Sequence, residues 1–276
     1  MYRIIDKQEI APKIKLFEVE ALRVAAKTKP GQFVILRLDE KGERFPLTIA
    51  GADKSKGTVR FAFHEVGKST KKLGTLNEGD SILDLIGPLG NPSELQNFGR
   101  VMCIGGGVMI APLHFIASAL REVGNELIIV IGARNKDLLV FEDEMKALSP
   151  KLYVTTDDGS KGYKGFDFLE EILRTEKIDR VIAMGPVIMM KTVSEMTKPY
   201  GINTTVTLTP IMVDGTGMCG CCRVSVGGVT KFTCVDGPDF DGHQVDWDLL
   251  FARQRIYLDE EKCSFERWQS QSGTSS

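Results

Sequence analysis

The sequence DGTGMCGCCRVSVGGVTKFTC, residues 214–234, contains four of the six cysteines of the chain. Four residues separate Asp214 from Cys219, two separate Cys219 from Cys222, and eleven separate Cys222 from Cys234. With a cysteine in place of Asp214, this would be the C-x4-C-x2-C…C spacing that holds a 2Fe–2S cluster. We therefore interpret Asp214, Cys219, Cys222 and Cys234 as candidate metal ligands.

Glycines and a predicted hairpin shape the chain between these residues. Gly215, Gly217 and Gly220 allow the backbone to turn inward and to bring its N–H groups close to sulfide ions. The Gly227-Gly228 pair lies between two short runs of alternating apolar residues, which predicts a β-hairpin. This hairpin would return the chain to Cys234, the last candidate ligand.

Other chemistries for the cysteines remain open at this point. A structural zinc site usually adds a second C-x2-C pair, which the sequence lacks. A disulfide would need an oxidising compartment, and the first residues lack the apolar core of a signal peptide. Buried inert thiols are common singly but unusual in such a cluster. Cys221 could compete with Cys222, although the spacing favours Cys222 and leaves Cys221 as a spare thiol.

Composition excludes several classes of function. The chain has 276 residues, of which 42% are hydrophobic and 26% charged, and a formal net charge of −2. Without a polybasic run, nucleic-acid and anionic-membrane partners are not expected. No apolar run reaches the roughly 18 residues of a membrane span. The N-terminus alternates like a strand, so we expect a cytoplasmic protein of two or three domains.

Residues 1–98 have the pattern of a small antiparallel β-barrel. Short alternating segments at 14–19, 33–38, 58–63 and 81–85 are separated by turns that contain glycine or proline. Two stretches interrupt this pattern. Arg44 to Ile49 sets a cation and a hydroxyl beside a rigid proline, and Val66 to Thr70 precedes a short predicted helix at 71–73. The second stretch is a natural seat for phosphate, although an ordinary loop stays open as the alternative for both.

From Arg100 onward strands alternate with helices, which predicts a doubly wound parallel sheet over residues 99–209. Helices are predicted from Pro112 to Leu120 and at 141–148, 166–175 and 187–198, and Cys103 is expected in the core of the first strand. A cluster-binding domain at 210–243 follows. Residues 244–276 are predicted to hold a helix capped by Asp246 and a disordered tail, SQSGTSS at 270–276.

Small or polar residues end the predicted strands of this sheet, at 105–107, 132–134, 156–159 and 185–186. Ligands of such sheets bind outside the carboxyl ends of the strands, so these residues are expected cofactor contacts. The dinucleotide fingerprint G-x-G-x-x-G is imperfect, because Ile110 stands where a small residue is needed.

The order of a flavin-type barrel, a nicotinamide-type sheet and a cluster loop resembles the ferredoxin reductase superfamily, in the branch of dihydroorotate dehydrogenase electron-transfer subunits. The resemblance covers about residues 1–258 and rests on the motifs at 44–49, 66–70, 105–113 (GGGVMIAPL), 155–159 (TTDDG), 185–190 (GPVIMM) and the cluster loop. PIMVDGTGMCG at 210–220 and CVDGPDFDGH at 234–243 are similar to the small subunits of NADH-dependent reduced ferredoxin:NADP oxidoreductases, also known as sulfide dehydrogenase beta subunits.

This resemblance implies three cofactors and a set of residues for each. FAD would lie in the barrel, with Arg44, Pro46, Leu47 and Thr48 along it and Gly67, Ser69 and Thr70 at the pyrophosphate; many relatives have Arg where this chain has Phe45. NAD(H) would lie at Gly105, Gly106, Gly107, Asp157, Gly185 and Pro186. The 2Fe–2S cluster would be held by Asp214 and the three cysteines named above.

Such a protein would pass electrons between NAD(H), FAD and the cluster. Nicotinamide delivers a two-electron hydride and the cluster accepts one electron at a time, so a flavin between them makes the conversion. No side-chain acid or base is needed, so we predict no catalytic residue, and we expect His64 and His114 to be structural. The resemblance also implies a larger partner subunit with its own FAD and 4Fe–4S clusters, which binds NADP(H), exchanges electrons with ferredoxin and takes part in electron bifurcation.

Two other functions remain open. The chain could serve as the electron-transfer subunit of dihydroorotate dehydrogenase or of a sulfide- or polysulfide-linked oxidoreductase. It could instead be a zinc-stabilised binding or regulatory module that keeps the fold without redox work.

Overall fold

The structure, a computed structural model, describes residues 1–272. Its first region contains β1 (Tyr2–Ala11), β2 (Ile14–Glu20), α1 (Leu22–Ala25), β3 (Phe33–Arg37), β4 (Phe45–Thr48), β5 (Gly51–Asp53), β6 (Thr58–His64), α2 (Lys68–Thr75), β7 (Ser81–Ile82) and β8 (Asp84–Leu89). The strands form two antiparallel sheets, in the orders β5-β6-β2-β1-β7 and β4-β3-β8. Phe17, Phe61 and Val34 lie in one core that both sheets share. The predicted antiparallel β architecture is confirmed.

Two predicted elements of this region have different bounds. The segment 81–85, predicted as one strand, is divided at Leu83. β7 pairs with β1 in the larger sheet, whereas β8 pairs with β3 in the smaller one, so the chain changes sheets at this point. Helix α2 is longer than predicted because it begins directly after Gly67 and continues through Thr75.

The second region alternates strands and helices. Its elements are β9 (Arg100–Gly106), α3 (Ile110–Glu122), β10 (Glu126–Ala133), α4 (Glu142–Leu148), β11 (Leu152–Thr156), β12 (Tyr163–Lys164), α5 (Phe168–Thr175), β13 (Arg180–Met184), α6 (Val187–Thr197) and β14 (Thr204–Thr207), with short 3-10 turns at Gly107–Met109, Lys136–Leu138 and Lys198–Tyr200. The strands are parallel, in the order β12-β11-β10-β9-β13-β14. This confirms the predicted doubly wound sheet.

Both faces of the parallel sheet are buried. Met102 and Ile104 of β9 belong to one hydrophobic core, while Val101 and Cys103 belong to another on the opposite face. This alternation follows from the two-residue period of a strand. Cys103 is fully buried, as predicted. Helix α3 begins two residues before the predicted start, which leaves Pro112 in its first turn, where the missing N–H costs no hydrogen bond.

The last part of the chain returns to the parallel sheet. It contains β15 (Arg223–Val226), β16 (Val229–Phe232), α7 (Thr233–Asp236), β17 (Asp239–Asp241), α8 (Trp247–Gln254) and α9 (Leu258–Ser272). β15 and β16 form the predicted hairpin around Gly227-Gly228. β17 pairs antiparallel with β14 and extends the sheet by one strand, which the sequence analysis did not predict. Asp246 caps α8 as predicted, because its carboxylate accepts the N–H of Leu249.

The C-terminal prediction needs one correction. Residues 270–272 were assigned to a disordered tail, but α9 continues through Ser272, and it packs on α2. The contacts with α2 lie at Ser264 and Phe265, and the helix that they hold in place continues from there into the polar stretch. The rest of the predicted tail, residues 273–276, lies outside the described residues. No helix among residues 1–272 combines the length and the apolar character needed to cross a membrane.

Candidate functional site

The segment between β14 and β15 forms a tight loop around Asp214. Its glycines occupy the left-handed region of the backbone, with φ of +72° at Gly215, +86° at Gly217 and +65° at Gly220. One carboxylate oxygen of Asp214 accepts the N–H of Thr216 at 2.9 Å, and the other accepts the N–H of Cys219 at 2.8 Å. These hydrogen bonds, that of Thr216 first, lower the pKa of Asp214 and fold the loop back on itself.

Two of the predicted ligands lie together in the interior. The Sγ atoms of Cys222 and Cys234 are 3.2 Å apart, and the two residues are only 2% and 3% exposed. Phe33, Ile35 and Met212 pack around them. Burial raises the pKa of the Cys234 thiol to about 12, so metal binding through its thiolate would release a proton.

The other two predicted ligands lie at the exposed side of the loop. Cys219 is exposed, and its Sγ accepts the N–H of Cys221 at 3.5 Å. The Cys221 carbonyl accepts a hydrogen bond from Arg253 at 2.9 Å. Within residues 1–272, no three His, Cys, Asp or Glu side chains already form a closed metal cage. The loop therefore gathers the predicted ligands as two pairs, Asp214 with Cys219 and Cys222 with Cys234.

The surroundings of these pairs fit an iron–sulfur cluster. The N–H of Cys234 donates to Cys222 Sγ at 3.5 Å, and hydrogen bonds from the backbone to sulfur are typical around thiolate ligands. The hydroxyl of Thr233 is fully buried and has no hydrogen-bond partner among the described residues. Buried polar groups normally have a partner. A cluster sulfide beside Cys234 would supply the missing acceptor.

A large cavity collects most of the residues predicted to bind flavin. It has a volume of about 740 Å3 and is lined by Pro46, Leu47 and Thr48 of β4 and by Val66 and Thr70 around the start of α2. Such a volume suits an organic cofactor. Three residues predicted at the flavin are not among the lining residues: Arg44, Gly67 and Ser69.

The start of α2 contains a polar network that the sequence did not predict. The Ser69 hydroxyl donates to Glu43 at 2.6 Å, and Lys68 Nζ lies 2.8 Å from the same carboxylate. Burial acts to raise the pKa of Glu43, but the hydrogen bonds from Lys68 and Ser69 outweigh it and hold this pKa below its usual value. Arg44 is exposed. The first turn of α2 therefore already attracts an anionic group.

The same cavity reaches the carboxyl ends of the parallel strands. Its lining includes residues predicted to bind nicotinamide nucleotide, namely Gly106, Gly107, Asp157, Gly185 and Pro186. Gly105, also predicted to bind the nucleotide, is not among the lining residues. A Cβ there would be 2.8 Å from Leu113 of α3, so this glycine allows close packing of helix on strand. Glycine at 106 keeps the chain close to the next strand end, since a Cβ would be 2.9 Å from Pro186.

Two histidines, His64 and His114, were expected to be structural, and the structure places them in different surroundings. His114 is half-buried and its ring packs 5.5 Å from that of Phe141, which agrees with the expectation. His64 lines the cavity at the end of β6. Burial, with the nearby Arg134, lowers the pKa of His64, so its imidazole is neutral at pH 7. Its position at the end of a strand was the one feature of the sequence that could have indicated that His64 lines the cavity.

The cavity and the sulfur pair share a wall. Phe33 and Met212 line the cavity and also pack against Cys222 and Cys234. Neither residue was predicted to have a role, because an apolar strand residue and a loop methionine resemble ordinary core residues. The residues predicted to bind flavin, those predicted to bind nicotinamide nucleotide and the cysteine loop therefore meet at one cavity.

Comparison with known proteins agrees with this architecture. Residues 209–246 match the family model for the iron–sulfur cluster binding domain of dihydroorotate dehydrogenase B. The match covers all four predicted ligands and confirms the prediction of an iron–sulfur segment. It favours iron–sulfur over zinc.

Relatives extend the similarity over the whole chain. An electron transfer subunit homolog of dihydroorotate dehydrogenase B (NAD(+)) from Thermotoga maritima is 49% identical over 99% of this chain and 97% of its own length. A probable dihydroorotate dehydrogenase B (NAD(+)) electron transfer subunit from Methanocaldococcus jannaschii is 36% identical over 92% of this chain and 93% of its own.

Solved structures agree as well. A chain from the structure of an NADH-dependent reduced ferredoxin-NADP oxidoreductase, described as giving insights into flavin-based electron bifurcation, superimposes with a TM-score of 0.92 at 48% identity, over 97% of this chain and 98% of that one. Phthalate dioxygenase reductase, at 18% identity and a TM-score of 0.61, shares the fold over 82% of this chain and 85% of its own. With its near full-length relatives, this chain belongs to the family of dihydroorotate dehydrogenase B electron transfer subunits and their homologues, within the ferredoxin reductase-like fold.

Proposed function

We propose that this electron transfer subunit binds FAD, NAD(H) and a 2Fe–2S cluster, and that it moves electrons between NAD(H) and a larger partner subunit. One observation supports this most strongly. A single cavity brings the β4 and α2 residues together with the strand ends at Gly106 and Gly185, and it shares Phe33 and Met212 with the buried cysteine pair. Cofactors that exchange electrons must lie close together, and this arrangement puts their expected sites side by side.

Each part of the chain has one task in this proposal. Bound flavin would exchange electron pairs with nicotinamide and single electrons with the cluster. Pro46 to Thr48 would line the flavin, and Thr70 would help to hold its phosphates at the start of α2. Asp214, Cys219, Cys222 and Cys234 would hold the cluster. The apolar side chains of Phe33 and Met212 exclude water from the wall between the two sites.

The proposed domains follow the same order. Residues 1–98 would form the FAD-binding domain, 99–209 the NAD-binding domain and 210–243 the cluster domain. Residues 244–276 would form a C-terminal helical extension.

Asp157 supports NAD(H) over NADP(H). It directly follows β11, and both Asp157 and Arg134 line the cavity. A carboxylate there can accept hydrogen bonds from ribose hydroxyls, whereas it repels a 2′-phosphate. Arg134 would favour the phosphate, so the balance between these two side chains sets the preference.

The partner differs between two forms of the proposal. Similarity to the bifurcating oxidoreductase over nearly the whole chain supports a partner with its own FAD and 4Fe–4S clusters, which binds NADP(H) and exchanges electrons with ferredoxin. The names of several relatives support a dihydroorotate dehydrogenase catalytic subunit instead. Anaerobic co-purification from the native cell, with identification of the bound subunit, separates the two.

The cofactor assignment has a direct test. Protein purified anaerobically is analysed by visible spectroscopy and for flavin, iron, sulfide and zinc. We expect flavin bands with broad cluster absorption, one FAD per chain, and iron and sulfide in equal amounts. A colourless protein that contains zinc would overturn the proposal.

A further inference from the structure

The last turn of α8 holds the two ends of the cysteine loop, residues 208–222. Arg253 Nη2 donates to the carbonyl of Cys221 at 2.9 Å, and its Nε donates to the carbonyl of Arg223 at 3.1 Å. The side-chain amide of Gln254 donates to the carbonyl of Thr209 at 3.3 Å, near the start of the loop. One helix end therefore binds the backbone both before the predicted ligands and among them.

Helix α8 is a firm support for these contacts. Its buried residues Trp247 and Leu250 belong to the same hydrophobic core as Val224 of β15. Arg253 follows Leu250 by three residues, so the two side chains lie on the same side of the helix. The guanidinium group is planar, and its paired donors fix two acceptors in one orientation. Arg253 is half-buried, which limits the freedom of its side chain further.

These hydrogen bonds fix the peptide groups around Cys222. Arg253 binds the carbonyls of Cys221 and Arg223, and the carbonyl of Cys222 between them accepts the N–H of Thr233 at 3.2 Å. The Cys221–Cys222 peptide is trans, so its N–H points away from its C=O. The hydrogen bond from Arg253 to this C=O therefore turns the N–H of Cys222 away from the guanidinium.

We propose that Arg253 is a positioning residue for the cluster, which holds Cys222 and its N–H in place and raises the reduction potential of the cluster by its charge. This inference rests on the proposed function, because it needs a cluster at the predicted ligands. Hydrogen bonds and net charge both tune the potential of such a cluster. Reduction adds one negative charge, and a cation at the loop stabilises the reduced state more than the oxidised state. The C-terminal extension would thus help to set the potential.

The test compares three variants of the full-length protein with the wild type, all purified anaerobically. Arg253→Gln removes the charge and the paired donors, whereas Arg253→Lys keeps the charge and loses the planar group. Arg255→Gln, at an exposed position directly after α8, removes the same charge and is the control. Redox titration followed by EPR gives the midpoint potential. The chelator concentration that removes half of the iron reports how firmly the cluster is held.

We expect Arg253→Gln to have a lower midpoint potential than the wild type and to lose half of its iron at about tenfold lower chelator concentration, an effect typical of a lost outer-shell contact. Arg253→Lys should keep a potential near that of the wild type but hold its iron less firmly. Arg255→Gln should change neither property. If Arg253→Gln assembles too little cluster for a titration, the two readouts of Arg253→Lys decide.

Three results would overturn the inference. The first is a wild-type potential and wild-type iron retention in Arg253→Gln. The second is an equal shift of potential in Arg253→Gln and Arg255→Gln, which would assign the effect to overall surface charge. The third is a potential in Arg253→Lys as low as that in Arg253→Gln, or wild-type iron retention in Arg253→Lys. A wild-type protein without an iron–sulfur cluster would instead refute the proposed function.

Discussion

At the scale of single residues, the carboxylate at position 214 distinguishes this loop from an all-cysteine cluster site. In the structure its two oxygens accept hydrogen bonds from the N–H groups of Thr216 and Cys219. Asp214 therefore organises the loop, in addition to its proposed role as an oxygen ligand of the cluster. An oxygen ligand is harder than a thiolate and binds iron less covalently. We therefore expect the residue, as a proposed ligand, to affect both the assembly of the cluster and its potential.

We predict that Asp214→Cys still assembles a cluster, because the four-thiolate set is a common one. Its midpoint potential should shift from that of the wild-type protein, and the cluster should be lost more slowly in air. Redox titration followed by EPR, with iron content measured in parallel, checks this. Identical potential and stability in both proteins would mean that Asp214 is not a ligand.

Thr233 offers a second test at this scale. Its buried hydroxyl lacks a partner in the described residues, which costs about 1–3 kcal/mol unless a ligand accepts its hydrogen bond. Thr233→Val keeps the shape and removes the hydroxyl. The variant should be more stable than the wild-type protein after removal of the cluster, and its cluster should have a lower potential, because a donor to sulfur stabilises the reduced state.

Melting temperatures of cluster-free protein and midpoint potentials of loaded protein provide the two readouts. Thr230→Val, at an exposed position of the neighbouring hairpin strand, is the control and should change neither. If Thr233→Val leaves the potential unchanged, the hydroxyl does not face the cluster.

At the scale of elements, the conformation of the cysteine loop depends on its close packing against the antiparallel region. A Cβ at Gly215 would lie 2.8 Å from both Ile35 and Leu89, and φ at this residue is +72°. Gly228, in the hairpin turn, has a similar φ of +76° but open space around it. Substitution of each glycine therefore distinguishes the effect of backbone strain, present at both positions, from the effect of a steric clash, present only at Gly215.

We predict that Gly228→Ala costs about 1 kcal/mol, from the left-handed backbone alone, and retains its iron. Gly215→Ala should lose more stability and most of its iron, because the loop must move away from β3 and β8. Thermal unfolding and iron analysis of both variants check this. Equal iron content in the two variants would show that close packing of the loop is not needed to hold the cluster.

Comparison of the predicted with the observed elements shows which features can be predicted from local sequence. Alternation over 14–19 and 58–63 predicted strands within a residue or so of their ends, because a half-buried strand repeats every two residues. Ligand spacing predicted the iron–sulfur segment. The change of sheet at Leu83 and the pairing of β17 with β14 were missed, because both depend on contacts with distant strands. The contact of Glu43 with the start of α2 was missed for the same reason, since Glu43 lies 26 residues from Ser69 along the chain.

At the scale of the whole molecule, one buried carboxylate connects the regions. Asp239 of β17 accepts hydrogen bonds from Thr207 of β14 at 2.6 Å and from Ser93, which follows the antiparallel region, at 2.5 Å. The residue retains some exposure, but its carboxylate lies deep, and burial raises its pKa. The folded protein therefore binds a proton at Asp239 more tightly than the unfolded chain does.

The sign of the pH effect follows from this. As pH rises through the raised pKa of Asp239, the folded state must bury a charge, so stability is lost. Asp239→Asn removes that penalty. We predict that its melting temperature exceeds that of the wild-type protein by a few degrees at neutral pH and that the difference shrinks as pH falls toward the raised pKa. Asp241→Asn, at an exposed position of the same strand, should show no such trend; a difference that stays constant with pH would contradict the assignment.

The decisive measurement is an anaerobic titration of the full-length protein with NADH, followed by visible and EPR spectroscopy. If NAD(H), flavin and cluster sites meet at the shared cavity, NADH should bleach the flavin bands and produce the EPR signal of a reduced 2Fe–2S cluster in the same molecule. A protein whose flavin is reduced by NADH while its iron stays EPR-silent, or whose loop holds zinc, would contradict the proposed path of electrons.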